Sequence, residues 1–329
     1  MNITILGAGA WGTALGISLA AAHNVTLWAR DAEAVAVMSA ARENRHYLPG
    51  FGFPAALAVS ADFNQSIASA EVVIIMTPVA AMRALLHRLR ELGCNKPLVW
   101  ACKGFEVETA CLPHQLVSEE LGADYPSATL SGPSFAQEVA AGLPTALTLA
   151  SADEQLARTL APQLHAHHLR IYSSTDVIGV ELGGALKNVM AIAAGLSDGL
   201  HLGYNARAAL ITRGLAEMSR LGVAMGGRAE TFLGLAGAGD LILTCTADMS
   251  RNRTVGLRLA AGEQIDAILT SLGHVAEGVY AVQGARKLAH KLGVAMPVVE
   301  VVHDILYGGL SPKDAVERLL NREPKAEAA

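Results

Sequence analysis

Short apolar runs alternate with stretches of helical period through the first half of the chain; beyond it the short runs almost disappear and the helical period remains. Strands are predicted over residues 2–6, 25–28, 56–59, 71–76, 97–102, 128–130, 145–150 and 169–172. Two of these, 71–76 and 97–102, are almost continuously apolar, as befits strands covered on both faces. Helical patterns fall between them, over 13–22, 31–41 and from Pro78 to about 92, and a polar, turn-rich loop occupies 44–50. Such alternation predicts a parallel, doubly wound sheet. After Ser174 the period is helical, with a long Ala/Gly-rich helix over 176–200 and further helices over 205–221, 251–261, 278–291 and 298–306. The expected fold is α/β, with an N-terminal Rossmann-type doubly wound, mostly parallel sheet and an all-α C-terminal domain. The domains are expected at 1–174 and 175–322, packed closely because nothing between them reads as a linker, with a frayed tail over 323–329.

The first thirty residues sharpen this picture. No Asp, Glu, Lys or Arg precedes Arg30. Between the first strand and the first helix lies Gly7-Ala8-Gly9-Ala10-Trp11-Gly12, the glycine spacing of a dinucleotide-binding turn in its proper strand–turn–helix setting. Gly7 permits the tight turn, Gly9 lets a pyrophosphate approach the backbone, and Gly12 allows close helix packing. Free N–H groups at the helix start then face the anion. A signal peptide or membrane anchor is not expected, because the glycines interrupt the run, His23-Asn24 ends it and no basic segment precedes it.

Composition narrows the function classes. The 329 residues are 52% hydrophobic and 17% charged, enough for a large core. Lys and Arg total 25 against 30 Asp and Glu, a net −5 that argues against a general nucleic-acid binder. Apart from the first run, no stretch of about 18 apolar residues stands out, so no integral membrane segment is expected. Cys94, Cys102, Cys111 and Cys245 lack metal-binding or disulfide spacing and read as reduced cytoplasmic thiols. His165-Ala166-His167-His168 has no matching ligand cluster, so it reads as a solvated loop and no metal is expected.

Several residues carry candidate chemistry. Arg30, at the end of the second strand, stands where an acidic residue often meets the ribose, and suits a 2′-phosphate instead, favouring NADPH; Asp31 beside it leaves NAD open. Lys103 follows a central strand, at the sheet edge where ligands bind. Lys187 has Gly183, Gly184, Met190 and Ala191 as its helical neighbours, a small apolar face that depresses an ammonium's pKa and suits a general acid/base. Asp240 ends a small-residue loop, Gly237-Ala238-Gly239, from which it can bond a substrate hydroxyl, orient Lys187 or cap a helix. Ser250, Arg251 and Asn252 at a helix start make a phosphate site or an ordinary capped helix.

Together these motifs resemble bacterial NAD(P)-dependent glycerol-3-phosphate dehydrogenase. The resemblance rests on the turn at 7–15, Lys103-Gly104, Ser131-Gly132-Pro133-Ser134-Phe135-Ala136, Glu181-Leu182-Gly183-Gly184-Ala185-Leu186-Lys187-Asn188, Gly237-Ala238-Gly239-Asp240-Leu241 and Ser250-Arg251-Asn252, in order along nearly the whole chain. It implies interconversion of sn-glycerol 3-phosphate and dihydroxyacetone phosphate with NADP or NAD, feeding phospholipid synthesis. Lys187 matches the family's proton acceptor in oxidation. Lys103, Gly132, Ser134, Lys187, Asp240, Ser250, Arg251 and Asn252 match its substrate contacts. Ala10, Trp11, Arg30, Lys103, Ala136, Arg251, Val275 and Glu277 match its cofactor contacts, beside Gly7, Gly9 and Gly12 of the turn; Tyr47 is a weaker match. Ala10 replaces a serine found in some relatives, so one hydroxyl contact to the cofactor is missing. The residues themselves also allow a related β-hydroxyacid-type dehydrogenase, or a non-catalytic dinucleotide-binding module. The expected partners are a small phosphorylated substrate and no nucleic acid, with a homodimer left open.

Overall fold

All eight predicted strands form, and they share one sheet. The computed structural model describes residues 1–166, 168–272 and 276–321. Its strands are β1 (Asn2–Leu6), β2 (Asn24–Trp28), β3 (Leu57–Ser60), β4 (Val72–Ile75), β5 (Leu98–Trp100), β6 (Ser127–Ser131), β7 (Thr145–Ala150) and β8 (Leu169–Ser174), in the spatial order β3-β2-β1-β4-β5-β6-β7-β8. β1 to β6 are mutually parallel; β7 runs against β6, and β8 runs parallel to β7. The six-stranded half thus has the 3-2-1-4-5-6 order of a dinucleotide fold, whose strand order reverses between β1 and β4. In-register pairs Leu6↔Trp28 and Leu6↔Ile75 bring three carboxyl ends to one edge at that point.

The strand side chains divide with a period of two between two apolar layers. Ile3, Ile5, Val72 and Ile74 pack with Leu15 and Leu19 on one side, and Leu6, Val73 and Ile75 with Leu85, Leu86 and Leu89 on the other. The helices covering the sheet are α1 (Ala10–Leu19), α2 (Ala32–Ala41), α3 (Phe63–Ala68), α4 (Met82–Glu91), α5 (Pro113–Leu121), α6 (Ala136–Ala140) and α7 (Glu154–Gln163). The remainder is helical: α8 (Val177–Gly199), α9 (Gly203–Ala224), α10 (Ala229–Leu233), α11 (Asp240–Thr246), α12 (Arg251–Ala260), α13 (Ile265–Leu272), α14 (Glu277–Leu292), α15 (Pro297–Tyr307) and α16 (Pro312–Leu320).

α8 is the axis of this helical part. Nineteen of its 23 residues are buried, and α9, α11, α12 and α14 all pack on it. Its small residues permit this: a Cβ on Gly183 would lie 2.2 Å from the Ala236 carbonyl oxygen, and one on Gly195 2.0 Å from that of Arg253.

Three sequence expectations need correction. The first helix spans Ala10–Leu19 rather than 13–22, because the helix begins within the glycine turn, with Gly9 as its N-cap. α8 is long and apolar enough to cross a membrane, contrary to the expectation that no such stretch follows the first run, and 89% of its most apolar window is buried inside the protein. Gly237-Ala238-Gly239 is not a loop but part of a π-helical turn, Leu235–Gly239, that runs directly into α11. Close packing demands this, since a Cβ on Gly237 would meet the Phe232 carbonyl oxygen at 2.1 Å. The expected tail over 323–329 lies outside the described residues.

Candidate active site

The glycine turn sits at the carboxyl end of β1. Gly7 has φ +125°, and a Cβ there would lie 2.7 Å from the Met76 carbonyl oxygen just past β4. A Cβ on Gly12 would meet the Gly7 carbonyl oxygen at 2.0 Å, so this glycine closes the turn on itself as well as packing the helix near Met76. Gly9 differs: among the described residues no heavy atom lies within 4 Å of its would-be Cβ. That open face, over the free N–H groups of α1, is the cradle that a pyrophosphate needs, so the turn fits a dinucleotide. Ala10 and Trp11 open α1, and Ala136 opens α6, which packs on α1. Arg30 is exposed just past β2, while the adjacent Asp31 carboxylate caps α2 by accepting from the Glu33 and Ala34 N–H groups. Tyr47 is exposed, on a loop fastened beneath the turn by the buried Asn44. The Asn44 amide donates to the Ala8 carbonyl (2.9 Å) and to Thr13 Oγ1 (2.8 Å), and its oxygen accepts from the Tyr47 N–H.

Further along the same sheet edge, two lysines converge on one carboxylate. Lys103, three residues past β5, donates to Asp240 Oδ2 at 2.7 Å, and Lys187 on α8 donates to Asp240 Oδ1. Asp240 is fully buried (0% exposed) and Lys187 is 8% exposed. Gly184, one turn before Lys187, lets α8 close on this edge: a Cβ there would lie 2.8 Å from Ser131 Oγ and 3.4 Å from Lys103 Cγ. Gly132 follows β6 with φ +144°; its carbonyl accepts from Ser134 Oγ (3.0 Å) and, at 3.5 Å, from Lys103 Nζ. Thr244 Oγ1 donates to the Asp240 carbonyl oxygen, one turn back, at 2.6 Å.

Two ammonium groups and one carboxylate leave this buried cluster one positive charge in excess. Burial pushes the Lys187 pKa down to about 8: the attraction of Asp240 opposes the fall, and the Lys103 charge adds to it. A lysine so poised exchanges a proton near neutral pH.

A second group surrounds the start of α12. Ser250 caps this helix, its Oγ accepting from the Arg253 N–H at 3.3 Å, and Arg251 is exposed at the first position. Asn252 is buried; its amide donates to Asn188 Oδ1 (2.9 Å), and its oxygen accepts from the Gly278 N–H (3.0 Å). Asn188 in turn donates to Glu277 Oε2 at 3.1 Å. Burial pushes the Glu277 pKa up, against the charges of Arg251, Lys103 and Lys187. These influences place Glu277 and Arg251 in the same electrostatic neighbourhood as the lysine pair. Arg253 is already engaged, donating to Asp198 Oδ2 (2.7 Å) and Asp248 Oδ1 (2.8 Å), so Arg251 is the arginine left facing outward. Val275 lies outside the described residues.

The structure thus holds a dinucleotide cradle, a buried pair of lysines that share one carboxylate, and a donor-rich helix start. Models of the N- and C-terminal parts of NAD-dependent glycerol-3-phosphate dehydrogenase match residues 2–157 and 176–317. The chain belongs to this family. It is 58% identical over 327 residues to glycerol-3-phosphate dehydrogenase [NAD(P)+] of Thiobacillus denitrificans, covering 99% of this chain and 100% of that one. It is 56% identical over 332 residues to the protein of the same name from Janthinobacterium sp., covering all of both. The crystal structure of glycerol-3-phosphate dehydrogenase from Coxiella burnetii superposes with a TM-score of 0.93 at 44% identity, covering 98% of this chain and 99% of that one. Membership makes the protein an oxidoreductase that uses NAD or NADP.

Sequence reasoning assigned no role to Asn44, Thr244 or Asn188. Asn44 and Asn188 tie segments that lie far apart in the chain, and Thr244 bonds back one turn within α11 beside Asp240. Only Asn188 carried a signal, its position beside Lys187; a buried amide 36 residues from its acceptor leaves no local pattern.

Proposed function

We propose that Lys187 is the proton-transferring residue in the interconversion of sn-glycerol 3-phosphate and dihydroxyacetone phosphate. The observation that carries this reading is the convergence of Lys103 and Lys187 on the buried Asp240 carboxylate. In reduction, protonated Lys187 Nζ donates to the C2 carbonyl oxygen as charge develops there, and Asp240 keeps the ammonium aimed. In oxidation, neutral Lys187 takes the C2 hydroxyl proton, while Lys103 keeps Asp240 paired. When bound, the nicotinamide supplies the hydride to C2 in reduction and takes it up in oxidation. The turn residues Gly7, Gly9, Ala10, Trp11 and Gly12 hold the cofactor, with Arg30, Lys103, Ala136, Arg251, Val275, Glu277 and, more weakly, Tyr47. Arg30 makes NADPH the preferred form, a reading supported by the engagement of Asp31 as a helix cap.

Lys103, Gly132, Ser134, Asp240, Ser250, Arg251 and Asn252 hold the substrate. The surplus positive charge of the cluster and the free N–H groups at the start of α12 suit its phosphate. Arg251 serves both ligands. The division into a cofactor domain over 1–174 and a substrate domain over 175–322 is supported by the change from sheet to helices after β8. The same reading places the enzyme in the cytoplasm, supplying glycerol 3-phosphate for phospholipid synthesis, and leaves a homodimer open.

NADPH oxidation followed by absorbance tests the proposal. Turnover with dihydroxyacetone phosphate and not with dihydroxyacetone or 2-keto acids is the expected result. Equal turnover with an unphosphorylated keto acid would overturn it in favour of a related hydroxyacid dehydrogenase. Cofactor binding without turnover on any phosphorylated ketone would favour a non-catalytic module.

A further inference from the structure

A second buried carboxylate on the lysine-bearing helix has no part in the chemistry above. Glu181 of α8 is 5% exposed. Among the described residues, three groups donate to it, all from the sheet side of the molecule. The Trp100 indole N–H at the end of β5 reaches Oε1 at 2.8 Å. The His114 backbone N–H, at the start of α5, reaches the same oxygen at 2.9 Å, and the His114 ring nitrogen Nδ1 bonds Oε2. A carboxylate held by three donors on two other elements is expensive to bury for packing alone, where an apolar side chain of similar volume serves as well.

The position of this junction gives it a purpose. Lys103 lies three residues beyond Trp100, a reach of roughly 10 Å in extended chain. Lys187 lies six residues beyond Glu181, a rise of about 9 Å along the helix. Both paths start where Trp100 meets Glu181, and both end on Asp240. Between them, Gly184 leaves no room for a Cβ against Ser131 and the stem of Lys103. The indole–carboxylate contact therefore sets how far along β5 the catalytic helix sits, and with it the spacing of the two ammonium groups.

We infer that Glu181, held by Trp100 and His114, is a positioning residue that fixes the register of α8 against the end of β5 and so aligns Lys187 and Lys103 on Asp240. This rests on the proposed role of Lys187. Of the residues proposed to hold the cofactor, those of the turn after β1 lie outside this junction, and Lys103 is the contact it positions. The expected signature is therefore a loss in kcat much larger than any loss in NADPH affinity.

The test compares Glu181→Ala, Glu181→Gln and Trp100→Phe, with active sites counted by NADPH fluorescence titration. Glu181→Gln keeps an acceptor for the indole and backbone N–H groups. We expect kcat per NADPH-binding site with dihydroxyacetone phosphate to fall about 10- to 100-fold in Glu181→Ala, as misplacement by an ångström does. NADPH Kd should stay within about twofold, and Glu181→Gln should recover most of the rate. A Glu181→Ala protein of lower Tm whose kcat per site equals the parent's would overturn the inference, as would a glutamine variant no faster than the alanine one. If Glu181→Ala does not fold, Trp100→Phe decides, because it removes one donor and keeps a ring: reduced kcat per site supports the inference and unchanged kcat overturns it. Normal turnover in Lys187→Met would instead remove the reading on which the inference rests, so the two failures are told apart.

Discussion

Lys103 and Lys187 share one carboxylate, and that imbalance governs the expected pH response. With its pKa lowered to about 8, Lys187 is protonated below that pH and neutral above it. Reduction needs the proton, so kcat for dihydroxyacetone phosphate should fall as pH rises through about 8; oxidation needs the free amine and should gain over the same range. A profile of kcat against pH in both directions checks this. Arg30 gives a separate prediction: Arg30→Asp should weaken NADPH and favour NADH, reversing the ratio of their kcat/KM values. Of these residues, Lys187 was the most legible, because its small apolar neighbours lie at helical spacing in the sequence. Asp240 was half legible, since helix cap and lysine partner were both open and only the fold chooses between them. Glu181 entered only as the first residue of the motif that ends at Asn188, with no role assigned, because its donors at Trp100 and His114 come from distant parts of the chain.

At the level of elements, the glycine turn separates folding from binding. Gly9→Ala meets no described atom within 4 Å, so stability should change by no more than about 0.5 kcal/mol, while the added methyl obstructs the pyrophosphate and raises the NADPH Kd. Gly12→Ala drives a Cβ to 2.0 Å from the Gly7 carbonyl oxygen and should lower stability by about 1–3 kcal/mol or more. Denaturant unfolding alongside NADPH titration of both variants distinguishes the two effects. Strand positions were read well, because near-continuous apolar runs such as 71–76 have no other comfortable home in a chain of this kind. The start of α1 and the π-helical turn before α11 were not, because the same glycines that mark a loop in sequence also permit a helix packed against backbone.

Across the whole molecule, the sheet and the helical part are joined by charged groups as well as apolar contacts. Burial pushes the His114 pKa down, but the hydrogen bond and charge of Glu181 outweigh it and hold it above the ordinary histidine value. A raised histidine pKa contributes stability that is fully present below about 6.5, the unfolded value, and is lost as pH rises through the folded one. His114→Gln should therefore flatten the decline of Tm across that window, which thermal unfolding at several pH values would detect. The strand order and the reversal at β7 were not legible, since they depend on which strands pair across the chain and not on any local pattern. The family motifs, spread from Gly7 to Asn252, brought the distant halves of the site together on paper before the fold brought them together in space. The central claim is that Lys187 transfers the proton. Its most direct test is kcat of Lys187→Met with dihydroxyacetone phosphate under saturating NADPH, paired with NADPH binding. The account predicts unchanged binding and a rate lower by about 10²- to 10⁴-fold; near-parental turnover would contradict it.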